Sequence, residues 1–443
     1  MAMGPLKGQV ATLQVEMVCL DELVAEDDLY RRIDALVDWG FVRAVAAAYY
    51  ARDVGRPSLD PVVLLKLMLA GALEGIGSMR ELLRRAGRDL ALRRFLGYGL
   101  GERLPAHQTV SEAHSRRFVD ARVFEQAFQR TVALCAEHDL LDGTHLSVDG
   151  FHAEADAALA SLRASLVLAS APEQDGDGPE AGPELSSAPQ LTLAEPRWGP
   201  TPKRRSSNQG SVSRTDPDAK LRGKPGQRPH LVHRGQVGVD PKARCVVACL
   251  GEQADGYEGD GLAPILDRAR FACPELVSVG ADQGYAAERV YKDARRRSLT
   301  AYIPPQRTML PPPETPPRTG AEREAQAARG RCKTEAGIRA HKRRMADAEG
   351  VIAELKLQHG LGRARCRGTP LFHIQLLLGC TAINLKRLAK HAPQAASGIA
   401  AAPAAARSTP TPALAAQVRP APTTTNPPPP TPTIAWTIAI CLN

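Results

Sequence analysis

The chain has 443 residues, and 57 lysines and arginines against 48 aspartates and glutamates leave a formal charge of +9. Hydrophobic residues make up 43% and aromatics 4%, which excludes a wholly disordered chain and predicts two or three domains with cores of Leu, Val and Ala. No apolar run approaches the roughly 20 residues of a membrane span, the N-terminal stretch lacks a secretory apolar core, and the nine cysteines are scattered without a CxxC pair, so a soluble, cytoplasmic protein is expected.

Residues 21–135 read as helical. Leu59–Leu73 has apolar residues at helical spacing with Pro61 in the first turn. Ser78–Ala86 and Asp89–Leu96 read as two short helices around Gly87, compatible with helix-turn-helix, and Val110–Cys135 continues with a longer amphipathic pattern. At Leu146 the character changes. LSVDG reads as the end of a strand, a short Ala/Leu helix is expected over Ala153–Ala171, and residues 172–209, rich in Pro, Gly and Ser, read as an exposed disordered insertion. His230–Val239 and Ala243–Leu250 read as strands joined by the turn DPK. Gly261–Ala272 reads as a helix, Leu276–Ala281 as a buried strand, Ala286–Arg297 as a helix, Thr300–Ile303 as a last short strand, and Ala336–Leu357 and Leu371–Leu388 as long helices. Three leading strands followed by alternation with helices predict an α+β or α/β fold, a mixed sheet with helices packed on it after an all-helical domain. The Pro-, Ala- and Thr-rich segment from residue 393 reads as a PPII-like or coil tail.

Charge is concentrated in two places. Met79–Arg94 is arginine-rich, and Arg329–Arg367 holds HKRRM and GRARCRG. Such clusters are the footprint of a nucleic-acid partner, or else of a solvated helix face. Gln108, Ser111, His114, Arg116 and Arg117 lie on a helix that could face DNA or pack within its domain. Against this background three acids stand out. Asp149 follows the apolar LSV, Asp282 follows LVSVGA and precedes a Gly-containing turn, and Glu349 lies inside the basic helix with Lys356 two turns on along the same face. Hard divalent cations prefer carboxylate oxygens, and two ions about 3.5–4 Å apart can hold the attacking and leaving oxygens of a phosphodiester. Two strand acids and one helix acid would make such a site, with the basic residues on the DNA backbone.

Each acid has a rival reading, as a turn or cap residue or as an ion-pair partner. Asp142 competes with Asp149 but follows a helix rather than a strand. Glu354 competes with Glu349 but lies about 140° around the helix. Asp240 and Asp255 read as turn acids. A zinc set of His230, His233, Cys245 and Cys249 is opposed by strand geometry: the two cysteines would be about 13 Å apart, whereas sulfurs on one ion lie within about 4.6 Å. There is no phosphate-binding loop and no dinucleotide fingerprint.

The blocks DGFHAEADA (Asp149–Ala157), SRTDPDAKL (Ser213–Leu221), HLVHRGQVGVD (His230–Asp240), ADQGYAAERVY (Ala281–Tyr291), AYIPP (Ala301–Pro305), KRRMADAEGVIAELKLQHGLGRARCRG (Lys342–Gly368) and CTAINLKRL (Cys380–Leu388) resemble, in order, those of DDE-type bacterial insertion-sequence transposases. Leu20–Phe128, with GRPSLDPVVLLKLML and PAHQTVSEAHSRRF, is similar to the helical domain that precedes their catalytic domain. The resemblance covers roughly residues 20–390. It implies a helical DNA-binding domain (21–140) and an RNase H-like catalytic domain (141–391) interrupted over 172–212; an N-terminal arm (1–20) and a disordered tail (392–443) complete the expected organisation, and residues 172–209 and the tail have no counterpart in the family. It implies Asp149, Asp282 and Glu349 as ligands of two Mg²⁺ or Mn²⁺ ions, with Arg344 and Lys356 as basic partners of Glu349. Arg80, Arg84, Arg85, Gln108, Arg116 and Arg117 would contact DNA. It further implies cleavage and joining of double-stranded DNA at the element's ends and target by a homo-oligomer, associated with the bacterial nucleoid and not with a membrane. His341 departs from the usual Tyr, Gly350–Ala353 is less aromatic than in the family, and QTVSEAHSRRF departs from a Ser/Thr-Arg-rich helix.

Overall fold

The computed structural model describes residues 17–50, 58–118, 121–164, 208, 211–223, 228–312 and 314–392. The tail, the N-terminal arm up to residue 16 and the expected insertion, apart from Asn208, lie outside them. Eight helices come first: α1 (Leu20–Leu23), α2 (Leu29–Leu36), α3 (Gly40–Ala46), α4 (Pro61–Leu73), α5 (Met79–Ala86), α6 (Leu90–Phe95), α7 (His107–Arg117) and α8 (Arg122–Glu137). Their starts follow from local chemistry. Asp28, Asp60, Ser78 and Asp89 each turn a side-chain oxygen onto a first-turn N–H, and Pro61 occupies the position where a missing donor costs nothing. The apolar α4 is the core helix, with Leu64, Leu65, Leu67 and Leu69 fully buried. Its buried Lys66 is held by Asp34 at 2.5 Å and lies over the Trp39 and Phe95 rings.

The sheet has the order β4–β5–β1–β7–β8, and β6 also pairs with β5. Its strands are β1 (His145–Glu154), β4 (Lys220–Arg222), β5 (His230–Val239), β6 (Val246–Gln253), β7 (Ser278–Gly280) and β8 (Thr300–Tyr302), while β2 (Leu162–Ala164) and β3 (Ser211–Ser213) form a separate pair. β1 runs antiparallel to β5 and parallel to β7, and β7 is parallel to β8. The crossovers are helical: α9 (Leu262–Ala272) precedes β7 and α10 (Glu288–Arg296) links β7 to β8. Three helices complete the chain, α11 (Gly320–Lys333), α12 (Glu335–Leu357) and α13 (Thr369–His391).

The α13 helix lies along β6. Asn384, fully buried, donates to the carbonyl of Val246 at 2.8 Å and accepts its N–H at 2.9 Å, and His373 Nδ1 bonds the N–H of Gly251 at 3.0 Å. Eleven helical residues span about 16.5 Å and five strand residues about 17 Å, so both pins engage without bending either element. The same helix packs against α2, α4 and α8, and one continuous apolar core joins the helical region to the sheet.

Several expectations are corrected. Asp149 sits in the middle of β1 rather than at a strand end. Ala153–Ala171 does not form a helix in its described part: β1 continues to Glu154, a 3-10 turn covers Leu159–Ser161 and β2 follows. The backbone there is claimed by other segments, since Glu154 N–H bonds Gly362 O and Ala155 N–H bonds Leu231 O. The amphipathic pattern over Val110–Cys135 is divided between two helices, α7 and α8. The α11 helix was not expected, although Thr319 and Glu322 form a capping box at its start.

Candidate active site

The first acid is set by β1. Side chains of Ser147, Asp149 and Phe151 share one face of the strand, and α12 packs on the sheet from that side, Gly280 lying toward His145 and the Ala340 carbonyl of α12. The register His145↔Ser278, Ser147↔Gly280 with parallel β7, carried on two residues, sets Asp149 level with Asp282. Asp282 lies just past β7, where its Oδ1 accepts the N–H of Gly284 at 2.8 Å and so fixes the turn at Gln283–Tyr285.

The third acid comes from α12. Arg344 is buried, and its Nη1 donates to Asp149 Oδ2 at 2.7 Å while its Nη2 donates to Glu349 Oε1 at 2.9 Å. One guanidinium therefore joins the strand acid to the helix acid. The side chain of Glu349 is 47% exposed and that of Asp149 14%. Lys356 stands two turns beyond Glu349, its Nζ 5.4 Å from the centroid of the Phe151 ring, on the same face of β1 as Asp149. That ring lies flat over Gly235, where a Cβ would come within 2.7 Å of it.

Burial pushes the Asp149 carboxyl up to about 6, and the negative fields of Asp282 and Glu349 add to this. Arg344 and the N–H of Gly150 pull the other way. Asp282 thus lies within electrostatic reach of Asp149. Beneath the acids is a buried polar network that the sequence did not announce. Tyr285 Oη donates to Gln236 Oε1 at 3.1 Å, Gln236 Nε2 donates to Glu252 Oε1 at 2.6 Å, and Arg234 Nε donates to the same oxygen at 2.7 Å. Gly150 allows this, since a Cβ there would stand 3.1 Å from Tyr285 Oη. The one hint was Tyr285 in ADQGY, two residues past a singled-out acid.

The rival acids have other duties. Glu354 is gripped by Lys386 at 2.9 Å and by Arg387, with His359 Nε2 3.6 Å away, and these neighbours hold its carboxyl far below the usual range despite burial. Asp240 accepts the N–H groups of Asp142, Gly143 and Lys242 at 2.8–3.0 Å and ties the entry of β1 to the β5–β6 turn. His233, of the set considered for zinc, bonds Asp216 at 2.9 Å and stacks on Phe372.

Three carboxylates are the right donors for a hard divalent cation. In placement, no three His, Cys, Asp or Glu side chains among the described residues are gathered closely enough to hold an ion together, and the Arg344 guanidinium occupies oxygens of two of the three.

Residues 18–116 match the family model described as Transposase domain (DUF772), and residues 315–389 match one described as Transposase DDE domain. The two matches together support an insertion-sequence DDE transposase with its N-terminal domain. No curated protein and no solved structure matches it significantly. The DDE match contains Arg344, Glu349 and Lys356 and begins after Asp149 and Asp282. The first match contains Arg80, Arg84, Arg85 and Arg116 of the arginines expected on DNA and ends just before Arg117. Among these, Arg80 meets His107 at 3.2 Å, Arg84 pairs with Glu81 at 2.8 Å, and Arg85 pairs with Glu74 at 2.9 Å. Gln108 is exposed on α7, and the side chains of Arg116 and Arg117 lie outside the described residues. No helix among the described residues is long and apolar enough to cross a membrane.

Proposed function

We propose that the chain is an insertion-sequence transposase that binds the terminal inverted repeats of its element and cuts and joins DNA at Asp149, Asp282 and Glu349. The observation that carries the reading is the meeting of β1, the end of β7 and α12: an acid within β1, a second in the turn just past the parallel β7, and a helix acid joined to the first through Arg344. The mixed sheet, with a central acid-bearing strand flanked by an antiparallel and a parallel neighbour, supports an RNase H-like catalytic domain over 141–391, preceded by a DNA-binding domain over 21–140.

Asp149, Asp282 and Glu349 would hold two Mg²⁺ or Mn²⁺ ions, which when bound supply charge stabilisation at the scissile phosphate and a more acidic water. The chain's own residues do the rest. β1 and β7 bring the two strand-borne carboxylates near one another, and the Asx turn at Asp282 commits one of its oxygens to the Gly284 N–H. Lys356 and the arginines of α5 and α7 would take up DNA phosphates. Their exposed pairs with Glu81 and Glu74 are readily exchanged for phosphate, because a surface ion pair contributes at most about 1 kcal/mol. Action as an oligomer on element ends and target, at the bacterial nucleoid, belongs to the same proposal.

The test is nicking of a duplex carrying the element's inverted repeat. The wild-type chain should cut with Mg²⁺ and stop in EDTA, and Asp149→Asn and Asp282→Asn should each lower the rate by at least about a hundredfold while still retarding the duplex. Variants that cut as well as wild type would sink the site assignment. Repeat binding with no cation-dependent product from any form would instead identify a transposase-derived DNA-binding protein.

A further inference from the structure

We propose that Arg344 is a built-in counter-ion that competes with the divalent cations for Asp149 and Glu349, so that the site loads metal only when this guanidinium lets go. The inference rests on the reading of these acids as cation ligands. Its basis is geometric. The two Nη atoms of one buried side chain are each committed to a different member of the trio, at 2.7 and 2.9 Å. The other oxygen of Asp149 already accepts the N–H of Gly150 at 2.8 Å, so the guanidinium takes the oxygen of that acid that an ion would need. The guanidinium cannot shed its charge to make room. A cation and a fixed positive side chain on the same two oxygens exclude each other by contact and by repulsion.

A second observation separates this arrangement from an ordinary supporting ion pair. Arg344 Nε is buried and bonds to nothing. A residue built solely to brace two carboxylates would have its donors satisfied in the braced state. Here one donor stays unmade while the other end is clamped, so the clamped state is not this side chain's best-satisfied arrangement. The helix offers a way out of it. Glu349 is nearly half exposed and lies on the same side of α12 as exposed Lys342 and Met345, so an outward rotation of Arg344 would reach a surface where DNA phosphates could receive it. In the free protein the fork neutralises a pair of acids that would otherwise repel, and it withholds the cation from a nuclease that has no DNA.

The alternative, Arg344 as a permanent positioning residue that holds the acids ready for the ions, predicts the opposite sign. Mn²⁺ binding to the full-length chain without DNA, followed by electron paramagnetic resonance, decides between them. Arg344→Gln should bind Mn²⁺ about tenfold more tightly than wild type or better, the gain expected from removing one charge-assisted fork. Arg344→Lys, which keeps the charge but cannot grip two carboxylates at once, should fall between the two, and it carries the test if Arg344→Gln no longer melts cooperatively. Arg343→Gln removes a neighbouring charge outside the fork and should stay within about twofold of wild type. The proposal is overturned if Arg344→Gln and Arg344→Lys bind no more tightly than wild type, if Arg344→Lys matches wild type, or if Arg343→Gln gains as much as Arg344→Gln. Asp149→Asn separates the two readings: it should lose Mn²⁺ binding, and if it binds as wild type does, the assignment of the acids themselves fails.

Discussion

One histidine near the acids is a buried neutral group, and it makes a clean test of the packing between β1 and α12. His145 is buried with Nδ1 at 2.8 Å from Ser278 Oγ, and burial, reinforced by the charge of Arg343, lowers its pKa from 6.5 to about 4. Between these values the unfolded chain binds the proton more readily than the folded one, so stability is fully present above pH 6.5 and is lost as pH falls toward 4. Urea unfolding at pH 7.5 and 5.5 should show a smaller loss on acidification for His145→Gln than for wild type; equal losses would contradict the assignment. At this scale the sequence was only partly legible. Asp282 was found because a strand followed by an Asx turn leaves a pattern in a single segment. Asp149 was found for a partly wrong reason: Gly150 reads as the start of a turn, yet it serves to let Tyr285 approach the strand. Arg344 was named only through the likeness to transposases, because a bond between residues 195 positions apart leaves no trace in local spacing.

The elements show where local pattern suffices. α5 and α6 begin where their capping residues predicted, and β5, α9, α10, α12 and α13 lie within a few residues of the expected spans. The failures are segments whose structure is decided by distant partners. Ala-rich residues 153–164 favour helix by propensity, but their N–H groups are taken by Gly362 and Leu231, and tertiary pairing prevails. The motif CTAINLKRL now has a physical content, since Asn384 closes the main chain of β6 where no further strand does. Replacing Asn384 by Ala would leave a buried N–H and a buried C=O of Val246 without partners, and the expected loss is about 3 kcal/mol, read as a lower urea midpoint with unchanged slope. A loss under about 0.5 kcal/mol would mean that water replaces the amide. SRTDPDAKL gains a role in the same way: Asp216 and Asp218 accept the N–H groups of Gly368 and Thr369 at 3.1 and 2.9 Å and so anchor the start of α13.

Over the whole molecule, the helical region and the sheet are joined by the loop that follows α12. Arg365 donates to the carbonyls of Ile76 and Gly75, both at 3.0 Å, and His359 Nδ1 lies 2.7 Å from the carbonyl of Ala72, so the C-terminal end of α4 is capped from a segment almost three hundred residues away. Gly75 takes a positive φ of 67° and approaches the Gln358 carbonyl so closely that a Cβ would stand 2.5 Å from it, which suits only glycine. Arg365→Ala should cost about 3 kcal/mol through the two lost charged hydrogen bonds and make residues 74–78 the first site of limited proteolysis; an unchanged cleavage pattern would show that the apolar core alone holds the regions together. The GRARCRG run had been read as electrostatic, and two of its arginines do face outward near Asp156, but Arg365 turns inward. Charge counts along a sequence do not separate these fates.

That grip closes on main-chain oxygens, which every amino acid possesses. Apart from the glycines at positions 75 and 77, where a Cβ would crowd the Gln358 carbonyl and the Arg365 side chain, the hydrogen bonds of the joint impose no side-chain identity on the helix they hold. The outer face of the helical region can therefore vary in sequence while the helix bearing Glu349 keeps its mooring.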